Sequence, residues 1–193
     1  MSTLISKIHQ DHVNMARILK LIASEIDALV AEEPRDLEVL DDAMRYMINY
    51  ADKLHHPKED IMFHRLQAIA PQTRDLVEDI FSEHQTIAKL GSEFHELVQA
   101  VEYGDFVLRE EIIAKGREYV RTLYAHMSKE EEHLLKTANQ LLSSENHADL
   151  DIEADELVDP LFAEEVQEEF KALYDYILRQ YGDDWRHPAH RLV

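Results

Sequence analysis

His12, His55, Glu59, His84, His126 and Glu130 stand where the surrounding sequence requires apolar side chains. Four of them form two His-x-x-x-Glu pairs, in HHPKE and HMSKE. That spacing stacks both side chains of a pair on one face of a helix. A buried carboxylate is costly unless something replaces the water it loses, and a cation does so directly. Neutral imidazole and carboxylate suit iron, manganese or zinc. Six donors exceed the needs of one zinc and fit two ions bridged by carboxylates, which require about twelve bonds at octahedral geometry. Four imidazoles, two bridging glutamates and one oxo or hydroxo bridge supply about ten, leaving about two places for water, O2, NO or peroxide.

The elements that must position these residues follow from the apolar periodicity. Apolar residues recur at spacings of three and four in four long segments. The first runs through Ile5, Ile8, Met15, Leu19, Ile22, Ile26 and Leu29, with His12 in its stripe. The second runs through Leu37, Leu40, Met44, Ile48, Ala51, Met62, Leu66 and Ile69, with His55 and Glu59 in its stripe. Pro57 removes a backbone donor there and is expected to disturb the helix beside the site. The third runs through Val77, Ile80, Ile87, Gly91, Phe94, Val98 and Val101 around His84. The fourth runs through Leu108, Ile112, Tyr119, Leu123, Leu134 and Leu141 around His126 and Glu130. Turns fall at 34–36, at Pro71 and at Gly104-Asp105. His12 and His55 both lie roughly 19 residues, or ~28 Å, from the first turn. Similar runs separate Glu59 from His84 and His84 from His126. All six residues therefore fall at one level of the bundle.

The expected fold is all-α: an antiparallel up-down-up-down four-helix bundle over residues 1–144, with an additional C-terminal helix. Residues 145–193 read as an acidic linker, a fifth amphipathic helix and a tail, WRHPAHRLV. Residues 145–170 hold eleven acids and no Lys or Arg, so the first part reads as solvated. The fifth helix follows Pro160 through Phe162, Val166, Phe170, Leu173, Ile177 and Tyr181. Its stripe must pack on the bundle or serve a homodimer or a protein partner.

The formal charge of −20 excludes a nucleic-acid partner and an anionic membrane surface. No apolar run is long enough to span a bilayer, and the N-terminus has no signal-peptide pattern. Cysteine is absent, which excludes disulfides and thiolate chemistry and makes the cytoplasm the expected compartment. His56 is expected to pack beside the six-residue set without binding. Asp60, Glu131 and Glu132 read as surface acids or acids behind the site, and Tyr50, Tyr119 and Tyr124 as packing.

The ordered set consists of a lone histidine, HHPKE, a second lone histidine and HMSKE. It resembles the hemerythrin / HHE cation-binding family over residues 4–142. The resemblance implies a non-haem di-iron centre, with two iron ions held by His12, His55, Glu59, His84, His126 and Glu130 and both glutamates bridging. Zinc or manganese would be substitutes. Oxygen-carrying hemerythrins have a second histidine one turn after that of the third helix, where this chain has Ala88. They also have an aspartate five residues after the last histidine, where Glu130 follows His126 by four. The four-histidine, two-glutamate set is similar to bacterial iron-centre repair proteins and to the iron-sensing domain of a eukaryotic ubiquitin ligase. The expected function is binding of O2, NO or peroxide in sensing, storage or stress response. An enzyme of peroxide or O2 activation or iron-centre repair is the alternative, as is a metal-dependent signalling module.

Overall fold

A computed structural model describes residues 3–33, 36–153, 159–162 and 165–182. Every regular element among them is helical. Helix α1 is Thr3–Ala31, α2 spans 37–69, α3 is Arg74–Glu102 and α4 spans 109–141. Two shorter helices follow, α5 at Ser144–Glu153 and α6 at Lys171–Tyr181. Helix α1 packs on α2 and α4, and α3 packs on the same two. No helix among the described residues is long and apolar enough to cross a membrane.

Local chemistry sets the helix ends. Glu32 takes a left-handed φ of 58° after α1, and the Glu33 N–H returns to the Ala28 carbonyl at 3.0 Å. Gly104 repeats this after α3, with φ 88° and the Asp105 N–H on the Ala100 carbonyl at 2.8 Å. In both places a six-to-one bond satisfies a carbonyl the helix leaves open. Asp36 caps α2 by accepting the Val39 N–H at 3.2 Å. Pro34 and Arg35 of the expected turn, and the tail from 183 onward, lie outside the described residues.

Most of the expected stripe residues are buried, but Ile48 in the middle of α2 is only half-buried, with Met47 and Tyr50 taking the core positions beside it. Ile69, Leu108 and Leu141 are exposed, because a terminal residue projects past the neighbouring helix. The core divides into two clusters. One holds Met15, Leu19, Ile22, Ala51, Ile87, Phe94, Tyr119 and Leu123. The other holds Leu4, Ile8, Met62, Phe63, Leu66, Ile80, Leu134 and Leu150. In each long helix the histidines and glutamates of interest fall between the two clusters, so a polar layer crosses the bundle at one height.

Gly116 allows α4 to approach its neighbours. A Cβ at this position would lie 2.6 Å from Ile26 Cδ1 and 2.7 Å from Phe94 Cζ. Gly116→Ala gains about 1 kcal/mol of helix propensity. It also incurs an overpacking cost of about 1–3 kcal/mol. The second effect is expected to win, lowering the melting temperature of the metal-free protein by up to about 8 °C. A calorimetric melt that rose instead would mean the Ile26 and Phe94 side chains move aside freely.

The start of the acidic C-terminal region is helical, where its composition reads as a solvated linker. Residues Ser144–Glu153 form a helix, and its Leu150 is 1% exposed in the second cluster. Asp151 accepts the N–H of Leu4 at 2.6 Å, so its charge meets the positive end of α1. The fifth amphipathic helix begins later than Pro160 suggests. Asp159 accepts the N–H groups of Leu161 and Phe162 at 2.9 and 3.0 Å, which makes a turn there. Regular helix resumes with Glu168–Phe170 and continues as α6. Phe170, Leu173 and Ile177 join the first cluster, and Phe170 stands edge-on to Tyr46 of α2. The apolar stripe of α6 thus covers the bundle.

Candidate metal centre

Helix α2 is not uniformly α-helical. Met47–His55 is wound as a π-helix, with the His56 N–H bonded to the Ala51 carbonyl. Pro57 explains where the wide winding ends: it offers no N–H, and its ring crowds the carbonyl four residues back. The disturbance expected at HHPKE is therefore a wider turn. Helix α4 carries a second π stretch, Glu130–Leu134, which starts on a glutamate of the set. Such stretches re-aim the side chains that follow them. His55 and His56 are both buried, as are the neighbouring pairs Lys58 and Glu59 and Met62 and Phe63 farther along the helix.

The structure brings all six expected residues together. His12 Nε2 lies 3.1 Å from Glu59 Oε1 and 3.4 Å from Glu130 Oε2. His55 Nε2 lies 3.3 Å from Glu59 Oε1. His84 Nε2 lies 3.6 Å from Glu59 Oε2 and 3.5 Å from Glu130 Oε1. His126 Nε2 lies 3.3 Å from Glu130 Oε2. Glu59 and Glu130 are both 0% exposed, and each reaches histidines from opposite sides of the layer. Two groups could each hold an ion: His12, His55 and Glu59, and His56, Glu59, His84 and His126.

Each of the four expected histidines has a carboxylate behind it. His12 Nδ1 donates to Glu131 at 2.8 Å and His55 Nδ1 to Asp11 at 3.2 Å. His84 Nδ1 donates to Asp60 at 3.0 Å and His126 Nδ1 to Glu83 at 2.9 Å. An ionised carboxylate only accepts, so Nδ1 carries a proton in each ring and Nε2 is turned inward, where a cation can take the place of a second proton. Asp60 and Glu131 were legible as acids near the set, whereas Glu132 is exposed. Asp11 and Glu83 carry no sequence signal. Each lies one residue before a site histidine, but Glu83 serves His126 on another helix and Asp11 serves His55. Lys58 is also unannounced: it is 2% exposed and donates to Asp11 at 2.8 Å and to the Tyr50 hydroxyl at 3.3 Å. Its charge balances Asp11, and the Asp11 carboxylate then orients His55. Tyr119 is buried packing, and Tyr124 donates to the Ala16 carbonyl at 2.9 Å.

The electrostatics are those of a cation trap. Burial alone would push His12 and His55 down, yet the surrounding carboxylates hold both above the usual imidazole range. His84 is raised to about 10, since Asp60, Glu130 and Glu59 outweigh its desolvation. Burial would raise Glu59, but His55 and His12 hold it well below the usual carboxylate range. The bond from His126 is the main reason Glu83 falls to about 2. A metal ion entering this field takes the place of protons.

The decisive observation concerns unsatisfied atoms. His55 Nε2, His84 Nε2, His126 Nε2, Glu59 Oε2 and both carboxylate oxygens of Glu130 are buried without a hydrogen-bond partner. An unsatisfied buried polar atom costs about 1–3 kcal/mol. Six in one layer, all of types that bind hard or borderline cations, fit a metal centre and no apolar core.

The outer carboxylates yield a direct test. Glu83→Gln keeps the shape but weakens the hold on His126 Nδ1. Metal affinity is expected to fall about 10–100-fold. Competition against a chelator of known affinity would measure it, and unchanged affinity would mean that His126 needs no such support.

The family model described as hemerythrin HHE cation binding domain matches residues 3–138. No curated protein matches the chain.

Proposed function

The chain belongs to the hemerythrin HHE cation-binding domain family, and we propose on that premise that it is a non-haem di-iron protein binding O2, NO or peroxide. Its role in this reading is sensing, storage or stress response in the cytoplasm, the location being supported by the cysteine-free chain. The ligands are His12, His55, Glu59, His84, His126 and Glu130, with the two glutamates shared between the ions. The four long helices form the antiparallel up-down-up-down bundle of that family, a reading supported by the short connections between them.

The observation that carries this reading is the layer of buried, unpartnered nitrogen and oxygen atoms between two apolar clusters. Two irons there would supply coordination places that a small ligand can exchange into. The protein's own part is to hold the donors before the ions arrive. Asp11, Asp60, Glu83 and Glu131 fix the histidine tautomers, and Met15, Leu123, Met62 and Leu134 bound the layer with apolar side chains. The absence of sulfur ligands favours iron, zinc or manganese over metals that select thiolates. A protein partner or second copy that uses α6 would meet its outer face, because the apolar stripe is already buried.

The test is anaerobic loading of the full chain with ferrous iron, followed by iron analysis and optical spectra before and after O2, NO and azide. About two irons per chain and a spectrum that responds to these ligands are expected. A correctly helical protein that retains no iron would overturn the reading. A tightly bound metal with no spectral response would overturn the gas-binding part alone.

A further inference from the structure

The turn between α3 and α4 leaves large apolar side chains in water. Tyr103 is 80% exposed, Phe106 91% and Leu108 54%, and Val30 on the last turn of α1 is 46% exposed. The two places are adjacent, since Arg109 of α4 pairs with Glu32, just after α1, at 2.8 Å. Val107 packs against the first apolar cluster and so holds the turn in place. Aromatic rings gain by leaving water, and grouped apolar side chains on a protein surface mark a contact site. The surroundings are acidic. Glu32, Glu33, Glu102, Asp105, Glu110 and Glu111 are all exposed, and Arg109, already paired, is the single base in residues 102–111.

Such a surface repels most occupants. A second copy carries the same charge of −20 and would bring the same carboxylates to the contact. An anionic lipid surface is repelled in the same way. The fitting partner is a segment that is both apolar and basic.

The chain carries one such segment. Residues 185–193, WRHPAHRLV, hold Trp185, Leu192 and Val193 beside Arg186 and Arg191, and no acid. The segment also starts in the right place. Helix α6 has Phe170, at its start, edge-on to Tyr46 of α2, and the Tyr176 hydroxyl donates to Glu25 at 3.3 Å. The other oxygen of Glu25 accepts the Asp36 N–H at 3.0 Å, at the start of α2. Helix α6 therefore runs toward the end of the bundle where α1 finishes and α2 begins, and the pair Glu32–Arg109 puts the α3–α4 turn at that same end. The helix closes at Gly182, whose left-handed φ of 69° turns the chain out of it. Residues 183–193 follow, which reach at most about 36–40 Å when extended. Neighbouring helices lie about 8–10 Å apart, so that whole end is within range. A short tether also keeps the segment at an effective concentration on the order of millimolar.

We propose that residues 185–193 fold back over this end of the bundle, seating Trp185 against Phe106 and Tyr103 and bringing Arg186 and Arg191 to the surrounding carboxylates. The segment then completes a cover that begins with Leu161 in the core and continues through α6.

Trp185 is the single tryptophan of the chain, so its fluorescence reads the contact directly. The experiment compares the full metal-free chain with a peptide of residues 183–193, at several protein concentrations. The parent is expected to emit at shorter wavelength than the peptide and to resist quenching by acrylamide. Phe106→Ala with Tyr103→Ala, and separately Arg186→Glu with Arg191→Glu, are expected to return both readings to those of the peptide. Raised salt should weaken the shielding as well. Phe106 and Tyr103 are mostly exposed, so their substitution leaves the fold intact, which circular dichroism checks. A parent that emits and quenches like the peptide would overturn the proposal and leave the patch to a separate protein. So would a shielded tryptophan that neither pair of substitutions moves, since it would then sit elsewhere. Shielding that fades on dilution would overturn it too, by placing the segment on a second copy.

Discussion

Loading both metal positions should raise the melting temperature of this protein by on the order of 15–30 °C. An ion held at about a thousand times its dissociation constant stabilises the folded chain by about 4 kcal/mol. Two such ions contribute about 8 kcal/mol, and a chain of this length gains about 2–4 °C per kcal/mol. The effect is large because the unfolded chain has no comparable site: the donors come from four helices and meet only in the fold. Differential scanning calorimetry of iron-loaded and chelator-stripped protein would measure it. Equal melting temperatures would mean that the metal does not bind this layer.

Glu59→Gln should empty both positions together. Glu59 belongs to both groups able to hold an ion. Its Oε1 faces His12 and His55, and its Oε2 faces His84. The amide keeps the volume but loses the negative charge and one acceptor oxygen, so bound metal should fall from about two ions per chain to well under one. His12→Ala is the control, because His12 appears in one of the two groups only. It should cost one ion and spare the other. If Glu59→Gln also retained one ion, Glu130 alone would suffice at the remaining position and Glu59 would not be shared.

The same contrast between local and shared contributions explains what could be read from the chain. Residues that act along their own helix were visible. The stripes through Ile8, Met15, Leu19 and Ile22, or through Ile80, Ile87 and Phe94, follow from helical spacing and are buried as expected. The six polar interruptions in those stripes were visible for the same reason, and counting residues from the turns placed them at one height. Residues that act across helices were not visible. Asp11 supports His55 and Glu83 supports His126, yet neither pair is close in sequence. Lys58 is of a type normally left in water, yet it is buried against Asp11. Leu150 in an acidic stretch reads as solvated and sits in the core.

The sequence by itself determined the helices, the height at which their polar residues meet and the kind of cation those donors accept. These depend on periodicity, chain length between turns and side-chain chemistry, which are all local. Only the tertiary structure decided which carboxylate stands behind which imidazole, that α6 closes over the bundle, and that His56 turns inward beside His55. The first two are contacts between distant segments, whose registry no spacing rule supplies. The third depends on how wide a stripe of α2 the neighbouring helices cover, which also buries Lys58 beside Glu59 and which spacing along one helix does not fix.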